Sequence, residues 1–423
     1  MIWDQARVSL LTAFDRILNE KRLRDYPRLA LLAMGCVFLF NILGRQGWLG
    51  ALGQIIAHDF ITAYGAGIIF RTDPARLYDF ATQYTLQSRL VAPTELPGLA
   101  PFINPPYVAL AYVPWTRLSL PLAYAVWTCL MLGAVGVAVL LMVRFLATGE
   151  LRGKGLTIGG LLAVIVSSFA FVEGLVAGQN HGLTLLLMVV ACIATLKGRW
   201  WLGGLAAGLM IYKPQLTVGL VLTWVFLGEM QPIVGFALSG AMWSGLGLLL
   251  GGIEPYIAYF GFGDQLMGLP FTEGPAYIMA TPYGFLATVI GEEHLRVVYS
   301  LTAAVSVAAT IGFARVAWRS RRRDPSQRGT VMALAILYPL VATPYTLLHD
   351  MILLAPVLIL LAREPHRGRT LVYWAVVSYV GVLFLTLLGQ ATGVAVIALI
   401  PFVLFWAQLR NAWRADAEDN GVP

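Results

Sequence analysis

The sequence predicts an all-α polytopic membrane protein: one bundle of about twelve transmembrane helices with a long first loop on the outer side. Three observations predict it. The chain is 58% hydrophobic and 12% charged, with a mean hydropathy of +0.75, where a soluble domain carries about 25% charged residues. Apolar runs of crossing length, bounded by charge, recur from residue 28 to residue 410. The basic residues fall on alternate gaps between those runs, as they do in membrane proteins. A net charge of +7 would suggest nucleic acid in a soluble protein. Here its placement carries the information, and no nucleic-acid partner is expected. Cys36, Cys129 and Cys192 each lie within an apolar run, without disulfide or metal spacing, and read as small apolar side chains.

In chain order, residues 3–18 put Trp3, Leu10, Leu11, Phe14 and Leu18 on one helical face. Residues 1–27 are therefore expected to form an interfacial helix on the inner leaflet, its basic residues toward anionic membrane lipids. The apolar run from residue 29 leads straight into further membrane segments, so no cleavable signal is expected. Crossings are predicted at 28–44, 121–144, 155–177, 182–197, 200–212, 215–228, 233–252, 296–317, 329–347, 351–362, 370–388 and 393–410. Four of them, 182–197, 200–212, 215–228 and 351–362, are short enough to be half-spans or broken at the midplane. Segments 106–118 and 282–291 are apolar but too short to cross, and read as re-entrant or interfacial. Polar loops are expected at 45–105 and 253–281, and a solvated tail at 411–423 with acidic residues from Asp416. No repeat or linker divides the chain, so 28–410 reads as one domain.

Orientation follows from the positive-inside rule. All but seven of the 29 basic residues fall on one side, including the run Arg319 to Arg323; the seven are Arg45, Arg71, Arg76, Arg89, Arg117, Lys213 and Arg296. Both termini are then cytoplasmic and the loop at 45–105 is extracytoplasmic. Several polar clusters reach that same outer end. They are His58-Asp59-Phe60, Gly178-Gln179-Asn180-His181, Tyr212-Lys213-Pro214-Gln215, and the stretch from Pro344 to His349-Asp350.

Lys213 interrupts a stretch with no other charge between Arg199 and Glu229. A charge at membrane depth is costly unless paired or hydrated, and the following proline breaks the helix there. It reads either as a cation at the wall of a cavity, suited to a lipid phosphate, or as a lysine reaching to the interface. His349 is suited to donating to a phosphate, with Asp350 setting its tautomer or pairing with Lys213; an interfacial cap is the alternative. Asp59 reads as a catalytic carboxylate, a helix N-cap, or a partner of Arg71 or Arg76. Tyr64, Tyr78, Asp79, Asn104 and Tyr107 supply the aromatic faces and hydrogen bonds that hold sugars. No Walker loop, Gly-x-Ser-x-Gly, His-Glu-x-x-His or DxD pair is present, so neither a nucleotide nor a metal is expected. A secondary transporter would also place Lys213 at a broken helix, but it predicts inverted repeats and no matching halves are visible. A lipid-linked polysaccharide ligase would carry its large polar loop late in the chain.

Taken in order, these motifs resemble glycosyltransferase family 87. The resemblance rests on His58-Asp59-Phe60 with Tyr64, Leu77-Tyr78-Asp79, Asn104-Pro105-Pro106-Tyr107 with Pro114, Gly178-Gln179-Asn180, Lys213-Pro214-Gln215 and His349-Asp350. It implies a membrane-embedded GT-C fold and a polyprenyl-phosphate sugar donor, typically mannose. It also implies an inverting transfer to a lipid or glycan acceptor, with a carboxylate base in the first outer loop. Asp59 matches that base, and Lys213 and His349 fall more loosely near the donor phosphate. His58, Tyr64, Tyr78, Asn104, Tyr107, Gln179, Asn180, Gln215 and Asp350 are then candidates for the sugar and acceptor. No motif matches in the N-terminal helix or in the loop at 253–281, which is expected to shape the acceptor site.

Overall fold

Each apolar run that the sequence marks as a crossing contains a helix in the computed structural model, which describes residues 20–147, 157–261, 276–322, 328–362 and 368–419. The expected interfacial helix at 3–18 and the centre of the loop at 253–281 lie outside the described residues. No strand forms among them, only three isolated bridges. Five helices are long and apolar enough to cross by themselves: Asp25–Leu43, Leu120–Leu146, Met230–Gly251, Leu295–Arg321 and Val396–Trp413. The pair Ile158–Val166 and Phe169–Ala177, bent by 63°, is a sixth if it is one broken span rather than a re-entrant loop. Length and apolarity by themselves thus support five or six crossings in an integral membrane protein, against the twelve expected.

The shortfall has a pattern. His181–Leu196, Pro214–Leu227, Arg328–Ala342 and Leu348–Leu361 are all shorter than the ~20 residues that span hydrocarbon. Each begins or ends beside one of the polar clusters. The run at 200–212 is helical only over Trp200–Gly208, because the chain must turn before Lys213. At the other end of the chain, the last helix continues to Asp419, so the expected tail is helical over much of its length.

The helices described are α1 (Glu20–Leu43), α2 (His58–Thr72), α3 (Phe80–Val91), α4 (Pro106–Tyr112), α5 (Leu120–Leu141), α6 (Ile158–Val166), α7 (Phe169–Ala177), α8 (His181–Leu196) and α9 (Trp200–Gly208). They continue with α10 (Pro214–Leu227), α11 (Met230–Gly251), α12 (Glu254–Gly261), α13 (Pro282–Ile290), α14 (Leu295–Arg322), α15 (Arg328–Ala342), α16 (Leu354–Leu361), α17 (Gly368–Thr392) and α18 (Leu399–Asp419). Helix α15 is the axis of the main core: every residue from Thr330 to Val341 is buried. It packs against α10, α14, α16 and α18. At the α10 crossing a side chain on Gly219 would run into the Ala335 carbonyl, so only glycine lets the two backbones meet.

The stretch 45–105 is not a polar loop. It folds into α2 and α3 and, with α4, builds a second apolar core containing Ile56, Phe60, Ile61, Phe70, Leu77 and Phe102. Helix α2 is apolar on all sides and buried along most of its length, so it shows no amphipathic period. The polar residues that mark the stretch in sequence, His58-Asp59 and Arg71 to Asp73, flank its two ends. Segments 106–118 and 282–291 are helices too short to cross, as expected, and α4 packs on both α2 and α11.

Candidate active site

The entry to α2 fixes Asp59. Ala57 adopts a left-handed conformation at φ 62°, and its N–H donates to the Val176 carbonyl at 2.7 Å. That bond ties the start of α2 to the end of α7. It brings the first turn of α2 beside Gln179, whose Nε2 donates to Asp59 Oδ2 at 2.6 Å. The His58 Nε2 lies 3.4 Å from the same oxygen. His58 Nδ1 is 3.3 Å from the Ile55 carbonyl, which only accepts, so Nδ1 carries hydrogen there. The Asp59 side chain is 35% exposed, and the helix N-terminus behind it favours negative charge.

On the other side lies a deeper cluster. Lys213 Nζ donates to Asp350 Oδ1 at 2.7 Å, and the two side chains are only 13% and 3% exposed. The remaining carboxylate oxygen, Oδ2, accepts from the Leu347 N–H at 3.1 Å. Beside it, His349 Nε2 lies 3.8 Å from Asp350 Oδ1 and its Nδ1 lies 3.5 Å from Glu173 Oε2. The turn that carries Asp350 is itself anchored: Ala280 N–H donates to the Thr346 carbonyl at 2.9 Å and Thr281 Oγ1 to the Pro344 carbonyl at 3.1 Å. His181 is fully buried, its ring edge-on to Phe171 at 5.0 Å.

Helix α7 connects the halves: at its end the Val176 carbonyl accepts the Ala57 N–H, and the helix packs on the turn that carries His349 and Asp350. Tyr345, 37% exposed, lies just before that turn. Tyr212 stands next to Lys213, its hydroxyl 3.0 Å from Thr184 Oγ1. Among the described residues, no group of three or more His, Cys, Asp or Glu is arranged to hold a metal ion.

The sequence profile of glycosyltransferase family 87 matches residues 102–344, more than half of the chain. This chain belongs to glycosyltransferase family 87. It is also 28% identical over 324 residues to a protein of Mycobacterium tuberculosis (strain CDC 1551 / Oshkosh), covering 73% of this chain and 70% of that one. The relative is described as a polyprenol-phosphate-mannose-dependent alpha-(1-2)-phosphatidylinositol pentamannoside mannosyltransferase. No solved structure matches. Glu173, Gln179 and Lys213 lie inside the family 87 match, whereas Asp59, His349 and Asp350 lie outside it.

Of the residues singled out in sequence, the structure gathers His58, Asp59 and Gln179 into one group and Lys213, His349 and Asp350 into another. Asn180 precedes α8 beside them, its buried Oδ1 without a hydrogen-bond partner, and Gln215 is half-buried on the first turn of α10. The loop tyrosines are placed differently. Tyr64 donates to the Leu118 carbonyl at 2.8 Å and Tyr78 to the Asn104 carbonyl at 2.6 Å. Tyr78 and Asn104 sit past the far end of α2, which at 1.5 Å per residue is about 20 Å from Asp59. Tyr107 reaches back to donate to the Ile211 carbonyl at 3.0 Å, beside Tyr212. Asp79 caps α3, accepting from the Ala81 and Thr82 N–H groups.

Glu173 was not singled out in sequence, nor were Tyr212 and Tyr345 as site residues. The signal for Glu173 was present: it is the one carboxylate in the apolar run Phe169–Ala177, the same kind of interruption that marks Lys213.

Proposed function

We propose that this protein transfers a hexose, mannose by analogy with its relative, from a polyprenyl-phosphate donor to a lipid or glycan acceptor. The observation that carries the reading is the pairing of one half-open carboxylate, Asp59, with a buried basic cluster, Lys213 and His349 beside Asp350, α2 and the turn Leu348–Leu353 both packing on α7. Membership of family 87 and the description of the mycobacterial relative support the donor class and a lipid-linked acceptor.

In this reading the acceptor hydroxyl attacks the anomeric carbon in line with the departing phosphate. The new oxygen–carbon bond forms as the bond from carbon to the phosphate oxygen breaks. The hydroxyl proton goes to Asp59 and the electron pair leaves with the polyprenyl phosphate. Gln179 and His58 both fall on Oδ2, which leaves Oδ1 to meet the hydroxyl. Lys213, His349 and the Tyr345 hydroxyl meet the charge that grows on the leaving phosphate, so that no metal takes part. A single displacement inverts the anomeric centre, and a β-linked donor gives an α-glycoside.

The distribution of basic residues supports an extracytoplasmic site with both termini cytoplasmic. The short helices that stop at the site support counting them with the long ones as about twelve crossings of a GT-C-like bundle. Residues 1–27 and 411–423 then lie on the cytoplasmic side of that bundle, and the loop at 253–281 borders the acceptor.

The test is incubation of the purified protein with polyprenyl-phosphate mannose and a membrane lipid extract, followed by mass and anomeric analysis of new products. A hexose added to a lipid in the α configuration is the expected outcome. Absence of transfer with active protein and intact donor, or a β product from a β donor, sinks the reading.

A further inference from the structure

Glu173 lies in the middle of α7, on a helix that packs directly on the turn Leu348–Leu353 carrying His349. Its Oε2 is buried and accepts no hydrogen bond in the structure. A buried carboxylate oxygen in that condition needs a cation or a donor near it, and His349 Nδ1 at 3.5 Å is the group that faces it. The next residue fixes the approach. A methyl group on Gly174 would come within 2.7 Å of His181 Nδ1 and 3.0 Å of His349 Cβ, so glycine alone lets α7 lie this close to both rings.

The charges around His349 come from every element packed on it: Glu173 from α7, His181 from α8, Lys213 at the start of α10, and Asp350 on its own turn. Lys213 is already answered by Asp350 at 2.7 Å. That pair offers an arriving phosphodiester the two remaining Nζ hydrogens of Lys213 but little net charge. His349 is the remaining basic side chain of the deep cluster, and its Nδ1 faces the Glu173 carboxylate.

We propose that Glu173 is a positioning residue for donor recognition, holding His349 with its Nδ1 hydrogen toward the carboxylate and its Nε2 hydrogen available to the lipid phosphate. This rests on the reading above in which His349 faces that phosphate. Glu173 touches neither substrate; it acts through the imidazole, as carboxylates behind functional histidines do. The row Glu173, His349, Asp350, Lys213 then alternates acid and base, and the phosphate displaces no member of it.

The experiment measures polyprenyl-phosphate mannose binding, and turnover against the lipid extract, for the full-length protein and its Glu173→Gln, Glu173→Asp, Gly174→Ala and His349→Ala variants across neutral and alkaline pH. In Glu173→Gln, donor affinity is expected to fall roughly ten-fold, as when a hydrogen bond to a charged group is lost. The kcat at saturating donor should change much less. Glu173→Asp should recover part of the loss, and Gly174→Ala, which displaces the rings without removing a charge, should weaken donor binding at every pH. Wild-type donor affinity in Glu173→Gln, with His349→Ala impaired, overturns the inference and leaves the proposed function standing. Wild-type donor binding in His349→Ala removes the phosphate role of that ring from the proposed function. Thermal stability of each variant is recorded alongside, and a Glu173→Gln protein that is stable but binds no donor at any pH also counts against the positioning role.

Discussion

Asp59 and Asp350 are two carboxylates on elements that both pack on α7, and they are held in opposite ways. Asp350 is 3% exposed and fully engaged, with Lys213 on one oxygen and the Leu347 N–H on the other. Asp59 is 35% exposed, with both of its partners on a single oxygen. A buried ion pair cannot easily change its protonation, because either partner left alone in that environment carries a large desolvation cost. An open carboxylate on the first turn of a helix takes up and gives away a proton with little structural consequence. In the proposed reading Asp59 does the chemistry and Asp350 holds the architecture, and it is this contrast that mutation should break.

The largest effect belongs to Asp59→Asn. The amide keeps the shape and the hydrogen bond from Gln179 but cannot accept the proton, so kcat should fall by about 10² to 10⁴. Donor affinity and melting temperature should stay close to wild type. Near-normal turnover of this variant in a reconstituted assay is the result that removes Asp59 from catalysis. Asp350→Ala is the opposite experiment: it strands Lys213, and stability should drop by about 3 to 5 kcal/mol, read as a lowered melting temperature or denaturant midpoint. If Asp350→Ala melts like wild type and Asp59→Asn does not, the two carboxylates have been assigned the wrong way round. Lys213→Met combined with Asp350→Leu should restore much of the stability while leaving donor binding weak, which separates holding the fold from meeting a phosphate.

How much of this was legible in the sequence depends on which residues carried a local signal. Lys213 was visible because a charge in an apolar run is expensive wherever it ends up, and the Lys213–Asp350 pair is one of the arrangements that reading allowed. The positions of the apolar runs were likewise legible, since hydrophobicity is a property of the segment itself. The fold of 45–105 was not. Helix α2 is buried on all sides, so it lacks the one-sided pattern that marks a surface helix, and its polar ends, His58-Asp59 and Arg71 to Asp73, made the stretch read as a loop. Tyr64 and Tyr78 in that stretch and Tyr107 in α4 read as sugar platforms, yet all three hydroxyls go to backbone carbonyls more than twenty residues away in sequence. No local pattern announces such partners. Gln179 meeting Asp59 is a contact across 120 positions, made by the bond from Ala57 to Val176, and it too lies beyond what spacing can show.

A smaller effect is expected at Gln179. Its amide is the donor to Asp59 Oδ2 at 2.6 Å, and a hydrogen bond to a charged group contributes about 1.5 to 3 kcal/mol. Part of that is regained from water at an exposed carboxylate. Gln179→Ala should therefore slow turnover by roughly ten-fold while leaving donor affinity near wild type, because the amide orients the base rather than the phosphate. Gln179→Glu, which sets a second carboxylate against Asp59, should be slower still near neutral pH and recover as the pH falls. A Gln179→Ala protein that loses donor affinity and keeps its kcat would move Gln179 from the open half of the site to the buried one.

The smallest effect tests the far end of α2 against the near end. Tyr78 packs on Phe102 and Tyr259, with ring centroids 6.3 Å and 5.7 Å away, and its hydroxyl is spent on the Asn104 carbonyl at 2.6 Å. Burial raises that phenol well above the ordinary tyrosine range, so it remains a donor at any working pH. Tyr78→Phe keeps the ring and leaves the carbonyl without its donor, which should cost about 1 kcal/mol of stability. If the tyrosine serves the fold alone, kcat and both Michaelis constants should match wild type within about two-fold, since an intact ring preserves the packing that positions α2. If it instead lies along the path of an extended glycolipid acceptor, the acceptor KM should rise several-fold with the donor KM unchanged. That split decides whether the site ends at Asp59 or continues about 20 Å along α2, and hence whether the acceptor is a short head group or a longer glycan.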